Sequence, residues 1–447
     1  MSTVIIGGDA AGMSAAMQIH RKKPKENIVI LEKGAYFSYA QCGLPYVIEG
    51  SVQEVSDLIV RSYDAYRTKF NLDVRPHHEV TEMDSERQII HGFNHQTKSS
   101  FSIPYEKLLI ATGASPRMPN IEGHTYKGVF TFKTIPDLEK VMDYMADKEH
   151  VTIVGGGYIG LELAEAFVTH LKKVRIVERN GRLSKKWGEE FTNQVEQQAR
   201  LKGIELSFNE TVLSLKGNEQ QEIVAIQTDQ HLYHTDMVIF AIGIEPNTSF
   251  VDKVVEKLDN GALVVNEFLQ TNLPSVYAAG DCATQYHRIK EENDYIPLGT
   301  HANKQGRIAG MNLAGEKKTF KGVIGTAIFR FFDLTVARTG LSYFEAKEKF
   351  KEANKIQYKG MDRAGYFKQS QSILIEIIYD EQSRRLLGAE IIGKEGVDKR
   401  VDVLSVALFN EMKVDELEHL DLSYAPPFNG VWDPIQQAAR RAKNKSN

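Results

Sequence analysis

Two stretches of this chain repeat one design, and that repetition constrains the fold more than any other feature. "TVIIGGDAAGMSAAMQIHRKK" (3–23) reads as a short apolar strand, a glycine turn and a helix, and "NIVILEKG" (27–34) follows as a second strand closing on Glu32. "VTIVGGGYIGLELAEAFVTHLKKVRIVER" (151–179) does the same, with glycines at 155, 157 and 160 and a second strand closing on Glu178. Such a unit brings backbone N–H groups and a helix N-terminus onto a pyrophosphate, while the acid ending the second strand meets a ribose hydroxyl. In the first copy Asp9 stands where the middle glycine of G-x-G-x-x-G is expected; the second copy is complete. A single copy would mark little more than a tight turn between strand and helix. Two copies predict an α/β protein with two Rossmann-like dinucleotide-binding domains.

Three further stretches place the rest of the chain. "YEKLLIATGASPRMP" (105–119), "DMVIFAIGIEPNT" (236–248) and "TNLPSVYAAGDCA" (271–283) each give an apolar strand ending at a glycine. Taken in order, these segments resemble the two-dinucleotide flavoprotein disulfide reductases over nearly the whole chain. The resemblance implies that FAD is held by Gly7, Gly12, Glu32, Lys33, Gly113 and Asp281, the last through the flavin ribityl chain. It implies a nicotinamide nucleotide site at Gly155, Gly157, Tyr158, Ile159, Gly160, Glu178, Arg179 and Gly243. Glu178 favours NADH, because a carboxylate accepts the ribose 2′-OH and repels a 2′-phosphate. Arg179 offers that phosphate a partner, so NADPH is expected to be tolerated. The expected division is an FAD domain (1–113 and 244–320), an NAD(P)H domain (114–243) and a C-terminal α+β dimerisation domain (321–447). In the last, one helix is expected to carry Val401, Leu404, Leu408 and Met412 on its apolar side.

Composition narrows the partners. Fifty-five Lys and Arg against 59 Asp and Glu leave a formal net charge of −4, with no general pull toward nucleic acid or anionic membranes. No apolar run approaches the roughly 20 residues of a membrane span, and from the opening apolar stretch, without a basic n-region and long h-region, no secretory signal is expected. Two cysteines, Cys42 and Cys282, exclude a disulfide framework and suit a reducing cytoplasm.

"SYAQCGLPY" (38–46) holds the first of them. The redox pair C-x4-C of most disulfide reductases is missing, since Val47 stands five residues after Cys42. Polar neighbours and the following Gly-Leu-Pro place Cys42 at a loop feeding a helix start, where the helix dipole favours the thiolate. Cys282 follows Gly-Asp in an apolar turn and is expected to pack beside the flavin.

The motif resembles the single-cysteine branch of the family, which contains NADH oxidases and peroxidases and the coenzyme A-disulfide reductases. Oxidases and peroxidases usually place a His within the first glycine turn; here that position is Ala10. Ser14, Gln18 and Arg21 are spaced to share one helix face. By resemblance they hold coenzyme A together with Ser38 and Gln41. "RAGYFK" (363–368) and "DLSYAPPFNGVWDP" (421–434) match contexts in which the reductases carry two tyrosines contributed from the partner subunit, here Tyr366 and Tyr424. A phenol can protonate a departing thiolate without itself carrying charge. The implied enzyme is a homodimer that reduces coenzyme A disulfide with NAD(P)H, Cys42 cycling through a mixed disulfide with coenzyme A. The alternatives are an NADH oxidase or peroxidase using a Cys42 sulfenic acid, a coenzyme A-dependent persulfide or polysulfide reductase, and a flavin-bearing redox sensor.

Overall fold

The computed structural model describes residues 2–184 and 187–443. Three five-stranded sheets organise it. The first runs Val276–Ala278, Lys107–Ile110, Ser2–Ile6, Asn27–Leu31, Asp73–Arg75, every neighbouring pair parallel. The second repeats the plan as Glu205–Phe208, Lys173–Glu178, His150–Val154, Met237–Phe240, Val129–Thr131, again parallel throughout. Both sheets are buried between layers, which is why their strands read as nearly continuous Val, Ile and Leu. In each, the strand leading into the glycine turn lies in the interior of the sheet, and the acid closes its neighbour. A ligand binds such a sheet beyond the carboxyl ends of its strands, where the chain order reverses.

The third sheet is antiparallel: Ala327–Phe331, Leu334–Gly340, Leu386–Gly393, Ser372–Asp380, Ala353–Met361. The helix Val397–Phe409 covers it with Val401, Leu404 and Leu408, all buried. Met412, expected as a fourth member of that face, lies past the helix end. The chain leaves the helix at Asn410, and Glu411 takes a left-handed turn (φ 58°) before Met412 packs at the edge of the same core.

The helix Leu44–Glu49, directly after Cys42, belongs to a core shared with the second and third sheets. Its Leu44, Val47 and Ile48 pack in one cluster with Leu161 and Phe167 of the second glycine-turn helix and with Phe329 and Phe331 of the third sheet. The cysteine loop is therefore anchored where three parts of the molecule meet.

Candidate active site

The two glycine turns have nearly the same backbone. Gly7 and Gly155 take φ of 109° and 110°, values open to glycine and strained for other residues. A Cβ on Gly7 would lie 2.1 Å from the carbonyl oxygen of Ala111, and one on Gly155 2.5 Å from that of Ala241. Each turn also binds its own acid. Glu32 accepts the N–H groups of Gly8 (2.8 Å) and Gly34 (2.7 Å), while Glu178 accepts those of Gly156 (2.8 Å) and Asn180 (2.9 Å). Burial pushes the Glu32 carboxyl up, and the N–H donors pull it back. These glycine cradles, open at the helix N-termini Ala10 and Tyr158, fit the diphosphates of two dinucleotides.

The remaining nucleotide residues fall into distinct settings. Gly113 and Gly243 are left-handed turns at φ 65° and 108°, with nothing within 4 Å of an added Cβ. Tyr158 and Ile159 stand partly open at the start of their helix, and Arg179 is exposed beside Glu178. Lys33 points to the surface and pairs with Glu79 at 2.6 Å. Asp281 is held by Lys133, whose Nζ lies 3.2 Å from Oδ2 in a mostly buried pair.

Asp9, the departure from the glycine pattern, reaches across to the cysteine loop. Its Oδ1 accepts the N–H of Tyr39 (3.1 Å), and its Oδ2 accepts the side-chain amide of Gln41 (2.7 Å). Ser38 N–H donates to the Gly8 carbonyl (3.0 Å) from a left-handed conformation (φ 49°). The loop carrying Cys42 is thus bonded to the first turn three times before the cysteine is reached. Burial raises the Asp9 carboxyl to about 6 despite those two donors. Gln41 is accordingly committed to Asp9.

Cys42 meets solvent, and Cys282 is fully buried with its thiol directed at the carbonyls of Ile110 (3.3 Å) and Ala279 (3.4 Å). Burial pushes the Cys282 thiol to about 11, which keeps it neutral and inert. The expected downward pull on Cys42 is not what the protein groups produce. Crowding by protein raises its pKa, Glu162 raises it further, and Lys133 opposes them. The helix behind it explains the weakness of the dipole: it has six residues, and Pro45 in its first turn contributes no N–H.

Lys133 and Glu162 were not singled out by the sequence. Lys133 precedes a helix-capping Thr134 and carries no motif of its own. Glu162 lies inside the second glycine-turn helix and accepts the phenol of Tyr46 at 3.3 Å; burial raises its carboxyl to about 7 and the Tyr46 phenol to about 12. Arg330 of the third sheet pairs with Glu49 and, at 3.3 Å, with Glu165. This small group of acids, Tyr46 and Arg330 locks the helix after Cys42 to the other two sheets' domains.

The three residues expected on one face of the first helix do share that helix, in unlike settings. Ser14 donates to the Asn303 side chain (2.8 Å), Gln18 is buried and Arg21 is exposed. Arg61, also unremarked in the sequence, brings its guanidinium to Met17 of the same helix. Tyr366 and Tyr424 stand near one another on the exposed surface of the C-terminal domain, where slight desolvation and the Tyr424 phenol push the Tyr366 phenol up.

The profile of the pyridine nucleotide-disulphide oxidoreductases matches residues 1–306, and that of their dimerisation domain matches residues 326–434. The chain belongs to this family. It is an FAD-dependent oxidoreductase that draws on NAD(P)H, with a domain of the type through which members of the family associate. The NAD(P)H sulfur oxidoreductase (CoA-dependent) of Pyrococcus abyssi is 36% identical over 446 residues, covering 99% of this chain and 98% of that one. A coenzyme A disulfide reductase of Staphylococcus aureus is 30% identical over 449 residues (98% and 99%), and an NADH oxidase of Methanocaldococcus jannaschii 33% over 448 (100% and 99%). Among solved structures, reduced Bacillus anthracis CoADR-RHD superposes with a TM-score of 0.95 at 32% identity, covering 99% of this chain and 80% of that one. No helix among the described residues is long and apolar enough to cross a membrane.

Proposed function

We propose that this oxidoreductase reduces coenzyme A disulfide to two coenzyme A thiols with NAD(P)H, using Cys42 as its only redox thiol. The observation that carries the reading is the contrast between its two cysteines: one faces solvent, the other is sealed in the core. A single thiol suffices when the substrate brings the second sulfur. FAD, when bound, supplies two-electron transfer between the nicotinamide and the thiol site.

The protein's own part begins with Cys42. Its thiolate attacks one sulfur of the disulfide, a Cys42–S–S–CoA bond forms, and one coenzyme A leaves as thiolate. Tyr366 and Tyr424 of the partner subunit protonate that leaving group. Two electrons, ultimately from NAD(P)H, then cleave the mixed disulfide, so that a second coenzyme A thiol departs and Cys42 is restored. Lys133 is the cation set against the negative charge that Cys42 acquires, and Asp9 holds the loop that presents it. Ser14, Gln18, Arg21 and Ser38 receive the coenzyme, with Gln41 acting through Asp9. In this reading residues 1–113 and 244–320 hold FAD, 114–243 hold NAD(P)H and 321–447 form the dimer, in a cytoplasmic enzyme.

Ala10 sets the reading apart from a peroxide enzyme, because the turn lacks a histidine to handle peroxide oxygen. A persulfide of coenzyme A is a second substrate of the same site, favoured by the likeness to the coenzyme A-dependent sulfur oxidoreductase. Attack on either substrate needs the same thiol. The test is NADH consumption by wild type and Cys42→Ser with coenzyme A disulfide, coenzyme A persulfide, oxygen and peroxide. Turnover of the coenzyme A substrates should dominate and vanish in Cys42→Ser with flavin retained. Peroxide turnover without disulfide turnover would overturn the proposal.

A further inference from the structure

Three side chains of metal-ligand type converge on the nicotinamide domain, at the end of the second sheet opposite its glycine turn. His150 opens the strand His150–Val154, His234 closes the strand Leu232–His234, and Asp236 immediately precedes Met237–Phe240. Asp236 Oδ2 lies 3.3 Å from His150 Nδ1, and Oδ1 lies 3.4 Å from His234 Nε2. The two imidazole rings stand 5.1 Å apart at 69°. One donor atom from each residue falls within 4.8 Å of the other two.

Two features suit these groups to a shared ligand as well as to ion pairs. Charge-assisted N–H···O bonds settle at about 2.7–2.9 Å, and both contacts here are longer. Around a tetrahedral zinc with bonds of about 2.0–2.1 Å, neighbouring donors stand about 3.3–3.4 Å apart, the spacing that each imidazole nitrogen keeps from its nearer carboxylate oxygen, Oδ2 for His150 and Oδ1 for His234. The carboxylate is also pre-oriented. Its Oδ2 accepts the N–H groups of Glu149 (3.1 Å) and His150 (2.8 Å), which leaves Oδ1 turned toward His234. The backbone joins the ligands, since Asp236 N–H donates to the His150 carbonyl (2.9 Å) and Thr235 Oγ1 to that of Met237 (2.9 Å). The two N–H bonds to the carboxylate are outer bonds of the kind that fix the orientation of a metal ligand.

We propose that His150, His234 and Asp236 bind one divalent transition-metal ion of the zinc class, with water completing its coordination. The residues come from a strand start and the adjoining strand turn, so the ion clamps the His150 strand to the 232–236 corner. It is a structural site. It shares no residue with either glycine turn or with Cys42, so filling it should stabilise the fold by mass action and leave the reaction alone.

The test uses the full-length, FAD-loaded protein carrying Cys42→Ser, so that the open thiol does not compete for metal. Zinc chloride is titrated calorimetrically after EDTA treatment and gel filtration. One zinc per chain should bind and raise the melting temperature. Adding His234→Ala or His150→Ala should weaken binding at least roughly tenfold, the loss seen even for outer partners of a metal, and abolish the thermal shift. His231→Ala, which removes an imidazole paired elsewhere with Glu210, should change neither. His234 is exposed, so its variant should melt like its parent in EDTA; in an otherwise wild-type chain it should turn over normally. Absence of saturable binding, or unchanged binding in either the His150 or the His234 variant, would overturn the site.

Discussion

Set side by side, the two glycine turns differ at the residue before each helix. In the second turn that residue is Gly157, with nothing within 4 Å of an added Cβ. In the first it is Asp9, whose carboxylate leaves the helix uncapped and bonds Tyr39 and Gln41 instead. Both turns keep the left-handed first glycine, the N–H-bound acid and the close approach to a neighbouring strand end. The shared parts fit a dinucleotide. The substituted part ties one of the two turns to the loop carrying Cys42, so what reads as a flaw in the motif is the structural link between the first turn and the proposed redox thiol.

The strongest way to break this comparison is to spoil one turn at a time. Gly7→Val would drive a side chain into the Ala111 carbonyl at a φ that valine resists, and Gly155→Val would do so at Ala241. The first variant should purify without flavin absorbance. The second should keep its flavin and lose reduction of it by NADH in rapid mixing. Flavin retained in the first, or lost only in the second, would reverse the assignment of the two turns.

Asp9→Ala and Gly157→Ala sharpen the difference itself. Removing Asp9 leaves part-buried donors on Tyr39 and Gln41 unpaired, at a cost of at most about 1–3 kcal/mol. Disulfide turnover should fall while flavin reduction by NADH stays near normal. Gly157→Ala should show the opposite split, with stability nearly unchanged and any loss confined to the nucleotide KM. Equal effects on both half-reactions from Asp9→Ala would show that it does not serve the cysteine loop.

A smaller effect belongs to the acid of the second turn. Glu178→Ala should weaken NADH by about 1.5–3 kcal/mol, a hydrogen bond to a charged group, and improve NADPH relative to it. Because Glu178 also accepts Gly156 and Asn180 N–H groups, some of the loss should appear for both nucleotides. Unchanged kcat/KM for both would remove Glu178 from the ribose.

The smallest shifts concern the thiol's surroundings. Ionised Glu162 raises the Cys42 pKa and Lys133 lowers it. Glu162→Gln should therefore move the pH profile of Cys42 alkylation to lower pH, and Lys133→Met should move it higher. Because the Glu162 carboxyl sits near 7, the Glu162→Gln and wild-type profiles should converge below that pH, where wild-type Glu162 is already neutral. A shift of either variant in the other direction would discard the pairing.

These residues also mark how far the sequence could be read. Strands, glycine turns and their closing acids were legible because each is a local pattern, and the fold is mostly local patterns in order. The solvent-facing Cys42 and the buried Cys282 could be told apart from their neighbours alone. Lys133, Glu162 and Arg330 could not, since they become site residues only when separate sheets are brought together. Asp9 was visible as a departure, but its partners lie about 30 residues on, where the cysteine loop enters a short 3-10 turn. The end of the helix before Met412 was hidden for the opposite reason: apolar spacing continues past Asn410, while the backbone turns there.

The central claim, that Cys42 alone turns over a coenzyme A disulfide, can be weighed directly. Reduced protein freed of small thiols is mixed with excess coenzyme A disulfide, desalted, and examined by intact mass and peptide mapping before and after NADH. One coenzyme A per chain should appear on the peptide carrying Cys42 and none on that carrying Cys282. NADH should then remove it, releasing one coenzyme A thiol per chain. A chain that gains no coenzyme A, or keeps it after NADH, would contradict the account.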